Sequence, residues 1–151
     1  MKSVLTLQRR QLDLLSAHLA RCWPNEICGY LAGVGCNVAS ILEIPNVSAN
    51  PRTSFLMDPQ SQLNALISVE NSKHSILAVY HSHPVGSNSY PSELDTLSHE
   101  DPNCLFAVIL PNERRLIDSF RVFRLLEGRY TEIPISIEPA LRISAQWQRV
   151  G

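Results

Sequence analysis

No apolar run in this chain reaches the roughly 20 residues that a membrane-spanning helix needs, and no basic stripe offers a nucleic-acid footprint. Its 13 Lys and Arg nearly balance 14 Asp and Glu, for a formal net charge of −1. The pairs Arg9-Arg10 and Arg114-Arg115 stand alone, as charges on a solvated face do. Acidic tails and low-complexity tracts are absent. Cysteine is sparse. Cys22, Cys28, Cys36 and Cys104 include no C-x-x-C pair, which removes the usual zinc-ribbon and thioredoxin-type patterns. They are expected to stay thiols, packed as small apolar side chains. The N-terminus, "MKSVLTLQRRQLDLL", carries polar residues from Gln8 to Gln11 where an export signal would need an apolar core. The expectation is a cytoplasmic protein with no membrane or nucleic-acid partner. Oligomeric state leaves no signature. At 151 residues the chain suits one domain. It should bury about 68–70% of its unfolded surface, enough to fold without a disulfide or metal.

What is present is a succession of short periodic segments. Leu12, Leu15 and Leu19 predict an amphipathic helix over 7–21, ended by Pro24. Ile27 to Ala32 reads as an apolar strand closed by Gly33 and Gly35, and 38–44 as its hairpin partner. "PNVSANPRTSF" is a loop by composition. Asp58-Pro59 starts a second helix that runs to about Ser72 through Leu63, Leu66 and Ile67. "SILAVYHSH" and "CLFAVIL" are buried strands, residues 92–100 a short helix, and "IDSFRVFRLL" and "GRYTEIPI" a hairpin. The fold class is α/β: a single domain with a mixed central sheet of about six strands flanked by helices. The last dozen residues, with Trp147, fit either a docked helix or a partner-facing tail.

The densest chemistry lies in "AVYHSHPVGSNSYPSELD", residues 78–95. Residues i and i+2 of a strand share a face, so His81 and His83 project together while Ser82 points away. Two imidazoles at the end of a buried strand can converge on one ion, and zinc takes His nitrogen at about 2.0–2.1 Å. Pro84, Gly86 and Pro91 break the chain into a polar loop, which returns Asp95 on the next helix. Three protein ligands leave a fourth position open, as in catalytic rather than structural zinc sites. Water bound there would have its pKa lowered from 15.7 to about 7. A hydrolase of this kind also needs a base. Glu26, ahead of the apolar strand, is the candidate, with Ser92 as hydroxyl donor to a developing oxyanion.

Each feature alone has an ordinary explanation. Ser92-Glu93-Leu94-Asp95 is also a helix capping box. Alternating histidines are often surface or hydrogen-bonded core residues, an acid after Pro-Asn is usually solvated, and Pro84 can simply end a strand. The conjunction weighs differently. His-x-His-Pro with Ser-x-x-Asp at fixed spacing should arise by chance in roughly one chain in 10⁵, and here it sits in a strand–loop–helix context. His18, His74 and His99 lack partners at ligand spacing and read as structural or solvent-facing.

These residues resemble the JAMM (MPN-plus) metalloprotease family. Its pattern is a Glu, a long spacer, H-[ST]-H-P, seven residues, and S-x-x-D. Here stand Glu26, "HSHP" at 81–84, "VGSNSYP", and "SELD" at 92–95. "PNEICGYLAG" and "IPNVSANPRTSFLMDP" extend the likeness, which covers roughly residues 5–133. The resemblance implies an MPN-like, cytidine-deaminase-like architecture with a metalloprotease domain over 1–135 and a tail over 136–151. It implies one zinc held by His81, His83 and Asp95, with Glu26 as general base and Ser92 steadying the tetrahedral intermediate. It further implies cleavage of a peptide or isopeptide bond after the glycine-ending tail of a ubiquitin-like or sulfur-carrier protein. Three alternatives stay open. A zinc deaminase would need a P-C-x-x-C element, which is missing. A non-catalytic MPN-like scaffold would have no need of Glu26 or an open coordination position. A metallopeptidase could act on small peptides instead.

Overall fold

The computed structural model describes residues 3–92, 101 and 103–139. Along the chain these form β1 (Leu5–Gln8), α1 (Arg9–Cys22), β2 (Cys28–Val34), β3 (Asn37–Ile44), α2 (Pro59–Asn71), β4 (Ser75–Ser82), β5 (Leu105–Pro111), β6 (Ile117–Leu126), β7 (Arg129–Ile133) and β8 (Ile135–Glu138). The strands make one mixed sheet in the order β7-β6-β5-β4-β2-β3-β1-β8. β4 runs parallel to β5, and β1 parallel to both β3 and β8.

The expected six strands become eight because two four-residue strands form at one edge. Leu5 and Leu7 alternate into the core with Thr6 and Gln8 between them, too short a pattern to separate from the helix that follows. The helix expected from residue 7 therefore starts at Arg9. There the Gln8 N–H donates to Gln11 Oε1 at 2.8 Å, and Gln11 Nε2 donates to the Val38 carbonyl at 2.9 Å. "GRYTEIPI" divides at Pro134, whose missing N–H cannot join a ladder. Its first half pairs with β6 and its continuation with β1. Only Pro134 separates β7 from β8, the two ends of the strand order, so the sheet curls until its edges meet. The short helix expected over 92–100 and the last dozen residues lie outside the described residues, apart from Ser92.

The sheet curls around α1. Leu15 and Leu19 of α1 pack against Leu5, Leu31, Leu77, Tyr80, Ile109, Val122 and Ile133, and burial of each such side chain contributes about 1.5–3 kcal/mol. The other face packs α2. Cys28, Tyr30 and Val79 meet Met57 and Ala65 there. Leu63, Leu66 and Ile67, which mark the helical period, stand exposed, while small Ala65 and Val69 face the sheet. Asp58 caps α2 as expected, accepting from the Ser61 N–H at 2.9 Å. The four cysteines are free thiols, and burial pushes the Cys28 thiol up to about 12.

Gly29 is required by packing. A Cβ there would fall 2.3 Å from the Leu42 carbonyl oxygen and 2.6 Å from the Tyr80 ring. The space lets Tyr80 reach back to α1, where its hydroxyl lies 2.9 Å from His18 Nδ1. His18 is thus a buried structural residue, and burial lowers its pKa from the ordinary 6.5, with Glu43 opposing the shift. The unfolded chain therefore binds this proton at a higher pH than the folded one. The stabilisation is complete above pH 6.5 and is lost as pH falls through the depressed folded value. His18→Gln should flatten the fall in Tm between pH 7 and 5 relative to wild type. Parallel slopes in a pH-resolved melting series would show that His18 is not the sensor.

Candidate active site

β4 carries the two histidines to the edge of the packed core. His81 is its last-but-one residue and His83 follows its end. Ser82 between them turns inward, where its Oγ accepts from the Ile27 N–H at 2.8 Å and its own N–H donates to the Ile27 carbonyl at 3.0 Å. This double contact ties the end of β4 to the segment that opens β2. The histidines share the opposite face as expected. Their Nε2 atoms are 2.9 Å apart and their rings 4.8 Å between centroids.

Neighbours fix each ring. Phe55 stacks on His81 at 4.7 Å and 26°. His83 Nδ1 lies 2.8 Å from the Asn88 carbonyl oxygen. That oxygen can only accept, so Nδ1 carries the proton and Nε2 presents its lone pair. Two imidazole nitrogens that face each other this closely need either one proton or a shared cation between them. Tetrahedral zinc would hold two such nitrogens about 3.3 Å apart, a few tenths of an ångström more than the observed spacing. The orienting carbonyl is the outer-shell partner that a metal-bound histidine requires. The donor set therefore fits zinc. Asp95 lies outside the described residues. Among the described residues, no group of three or more His, Cys, Asp or Glu side chains is placed to hold a metal ion.

Glu26 is buried, 5% exposed, and its backbone is held at both ends. Its N–H donates to the Pro51 carbonyl at 2.7 Å, and its carbonyl accepts from Asn46 Nδ2 at 2.9 Å. Asn46 organises the whole loop: it also donates to the Ser54 carbonyl at 3.0 Å and accepts from the N–H groups of Ser48 and Leu56. The same loop places Phe55 over His81. An open cleft of about 320 Å³ is lined by Glu26, Phe55, His83, Asn88, Tyr90 and Ser92. A second space, about 230 Å³, shares Glu26 and His83 and extends toward Trp23, Arg52 and Pro111. Glu26 and His83 thus line both spaces together. Ser92 is exposed at the cleft wall. Sequence reasoning gave no role to Asn46, Phe55, Asn88 or Tyr90. Asn46 and Phe55 lie in the "IPNVSANPRTSFLMDP" segment, whose likeness was visible, but their function depends on contacts across 20 and 26 residues of chain.

In a sheet curled round one helix, the paired histidines at the end of β4 and the buried acid ahead of β2 thus meet at the ends of two central strands. Residues 8–123 match the family described as prokaryotic homologs of the JAB domain, and the chain belongs to it. A probable TtuB-protein conjugate cleaving protease from Thermus thermophilus is 35% identical over 127 residues, 83% of this chain and 79% of the relative. The CysO-cysteine peptidase of Mycobacterium tuberculosis is 26% identical over 135 residues, 89% of this chain and 91% of the relative. The solution structure of DSY2949 from Desulfitobacterium hafniense superposes with a TM-score of 0.77 at 27% identity, over 91% of this chain and 95% of that one. The chain is an enzyme, a peptidase of the JAB type.

Proposed function

We propose that this enzyme hydrolyses the peptide or isopeptide bond that follows the glycine-ending tail of a ubiquitin-like or sulfur-carrier protein, in the cytoplasm, with one zinc ion per chain. The observation that carries the reading is the pair of Nε2 atoms 2.9 Å apart, one of them on His83, which lines an open cleft together with buried Glu26. The names of two relatives support the substrate class, since one acts on TtuB conjugates and the other on CysO-cysteine.

His81, His83 and Asp95 would hold the metal. When bound, zinc polarises a carbonyl oxygen and makes a nucleophile available from water near neutral pH. The chain's own groups do the rest. Glu26 takes a proton from the attacking water and returns it to the departing amine. Ser92 donates to the developing oxyanion. Phe55 and the Asn88 carbonyl keep the two imidazoles from turning. The tail lies extended along residues 85–91, paired through its main chain, so that its last carbonyl meets the floor of the cleft.

A narrow cleft discriminates by size. Enlarging a tail glycine to valine is expected to lower kcat/KM steeply, because the penalty arises in the transition-state geometry. Zinc-loaded protein incubated with fusions ending in candidate carrier tails, followed by intact mass, gives the cut site. Paired kinetics on Gly-Gly and Gly→Val tails of one carrier then measure the discrimination. Equal kcat/KM for the two would replace this reading with a general peptidase.

A further inference from the structure

Register places one cation on the same row of the sheet as the metal-site histidine. His81 pairs with Val108 of β5, and Val108 pairs with Arg121 of β6. Directly paired residues share a face, and neighbouring strands lie about 4.8 Å apart. Arg121 therefore rises from the same face as His81, two strands away. Its side chain is 24% exposed, and the guanidinium is engaged along its edges. Nε and Nη2 donate to the two carboxylate oxygens of Glu132 at 3.0 and 2.6 Å, and Nη1 donates to Ser89 Oγ at 2.8 Å. Its planar head lies 4.5 Å from the centre of the Tyr90 ring and 5.1 Å from that of Phe123. Tyr90 itself tilts against buried Phe123 at 5.2 Å. One side chain thus joins β6, β7 and the loop that follows the histidines.

We propose that Arg121 is a positioning residue of this enzyme: it straps loop 85–92 to the sheet and so makes Tyr90 a fixed wall of the cleft. The proposal rests on the substrate reading above only for its consequence in selectivity. Tyr90 is 53% exposed and lines the cleft; besides the strap, the described residues offer it the Phe123 ring, the His83–Asn88 contact two residues away and local turns. Those turns are short: Ser87 N–H to the Pro84 carbonyl, and Tyr90 N–H to Asn88 Oδ1. The guanidinium is suited to the task because its fork spans a carboxylate while its face stacks on an aromatic ring, and a lysine can do neither. A yielding wall admits a side chain that a fixed one rejects.

Arg121→Met keeps the aliphatic stem and removes the fork. Hydrogen exchange followed by mass spectrometry should show faster exchange across 84–92, with β5 and β6 at wild-type rates. In the same variant, discrimination between Gly-Gly and Gly→Val tails should fall by about tenfold or more. Arg121→Lys should not restore either property. Glu132→Gln, which leaves Arg121 in place, should shift both in the same direction by less. Unchanged exchange at 84–92 in Arg121→Met would overturn the positioning role. Faster exchange with full discrimination would overturn the wall. A wild-type protein that cleaves no glycine-ending tail would fail the substrate reading, while the exchange measurement would still decide the strap.

Discussion

Glu26→Gln protein is expected to fold, to take up zinc as wild type does, and to lose about 10²–10⁴-fold of its turnover. The substitution is nearly isosteric, so it leaves the site's architecture in place. The backbone bonds that fix residue 26, to Pro51 and from Asn46, do not involve its side chain. Ser82, which ties β4 to this segment, contacts Ile27 and is untouched. What changes is proton affinity. An amide cannot take a proton from water or hand one to a leaving amine, so kcat should carry the loss and KM should change little. The measurement is paired: zinc content by elemental analysis and single-substrate kinetics on a verified tail fusion. Wild-type turnover at full zinc occupancy would make Glu26 a bystander and send the search to another base. Reduced zinc would instead place the carboxylate in the metal's own surroundings.

The parts legible in the sequence were those whose signals are local. The β2–β3 hairpin, β4, β5 and β6 announced themselves as apolar or alternating runs, and Asp58-Pro59 marked the start of α2 through capping chemistry that acts within one turn. The histidine pair was legible because a period of two fixes the shared face before any tertiary contact exists. The illegible parts depend on long-range contact. β8 is a strand because it finds β1 across 130 residues of chain, and β1 because it fits between β3 and β8. The edges of the sheet meet because Pro134 cannot continue one ladder, and nothing near it says where the next begins. Asn46 looks like one more polar loop residue until its amide is seen holding Glu26 from 20 residues away. Arg121 sits in an alternating strand, where a solvated charge is the ordinary reading. Its strap to Ser89 spans 32 residues.

His81→Ala combined with His83→Ala should remove the metal altogether, from about one zinc per chain to none, and take turnover to background. Two of the three proposed ligands are lost at once, and a lone carboxylate would be a poor zinc site, since zinc in proteins is held by three or four N, S or O donors. The fold should survive. The larger packed cluster, on the α1 side of the sheet with Leu15, Leu19, Leu31, Tyr80 and Ile109, does not include the deleted rings, although His81 is itself buried on the other face beside Phe55 and the α2-side cluster. A chain of 151 residues does not need a metal to be stable. Some loosening is expected nearby, since Phe55 stacks on His81 and Asn88 is held through His83. The melting temperature measured without metal should therefore fall modestly. The telling comparison is the increment in Tm that added zinc gives. A ligand that binds the native state stabilises it in proportion to the logarithm of its concentration over Kd, so the increment should be clear in wild type and Glu26→Gln and absent in the double variant. Full zinc occupancy in the double variant, by elemental analysis after gel filtration, would move the metal site to other residues and leave the histidine pair as a structural contact.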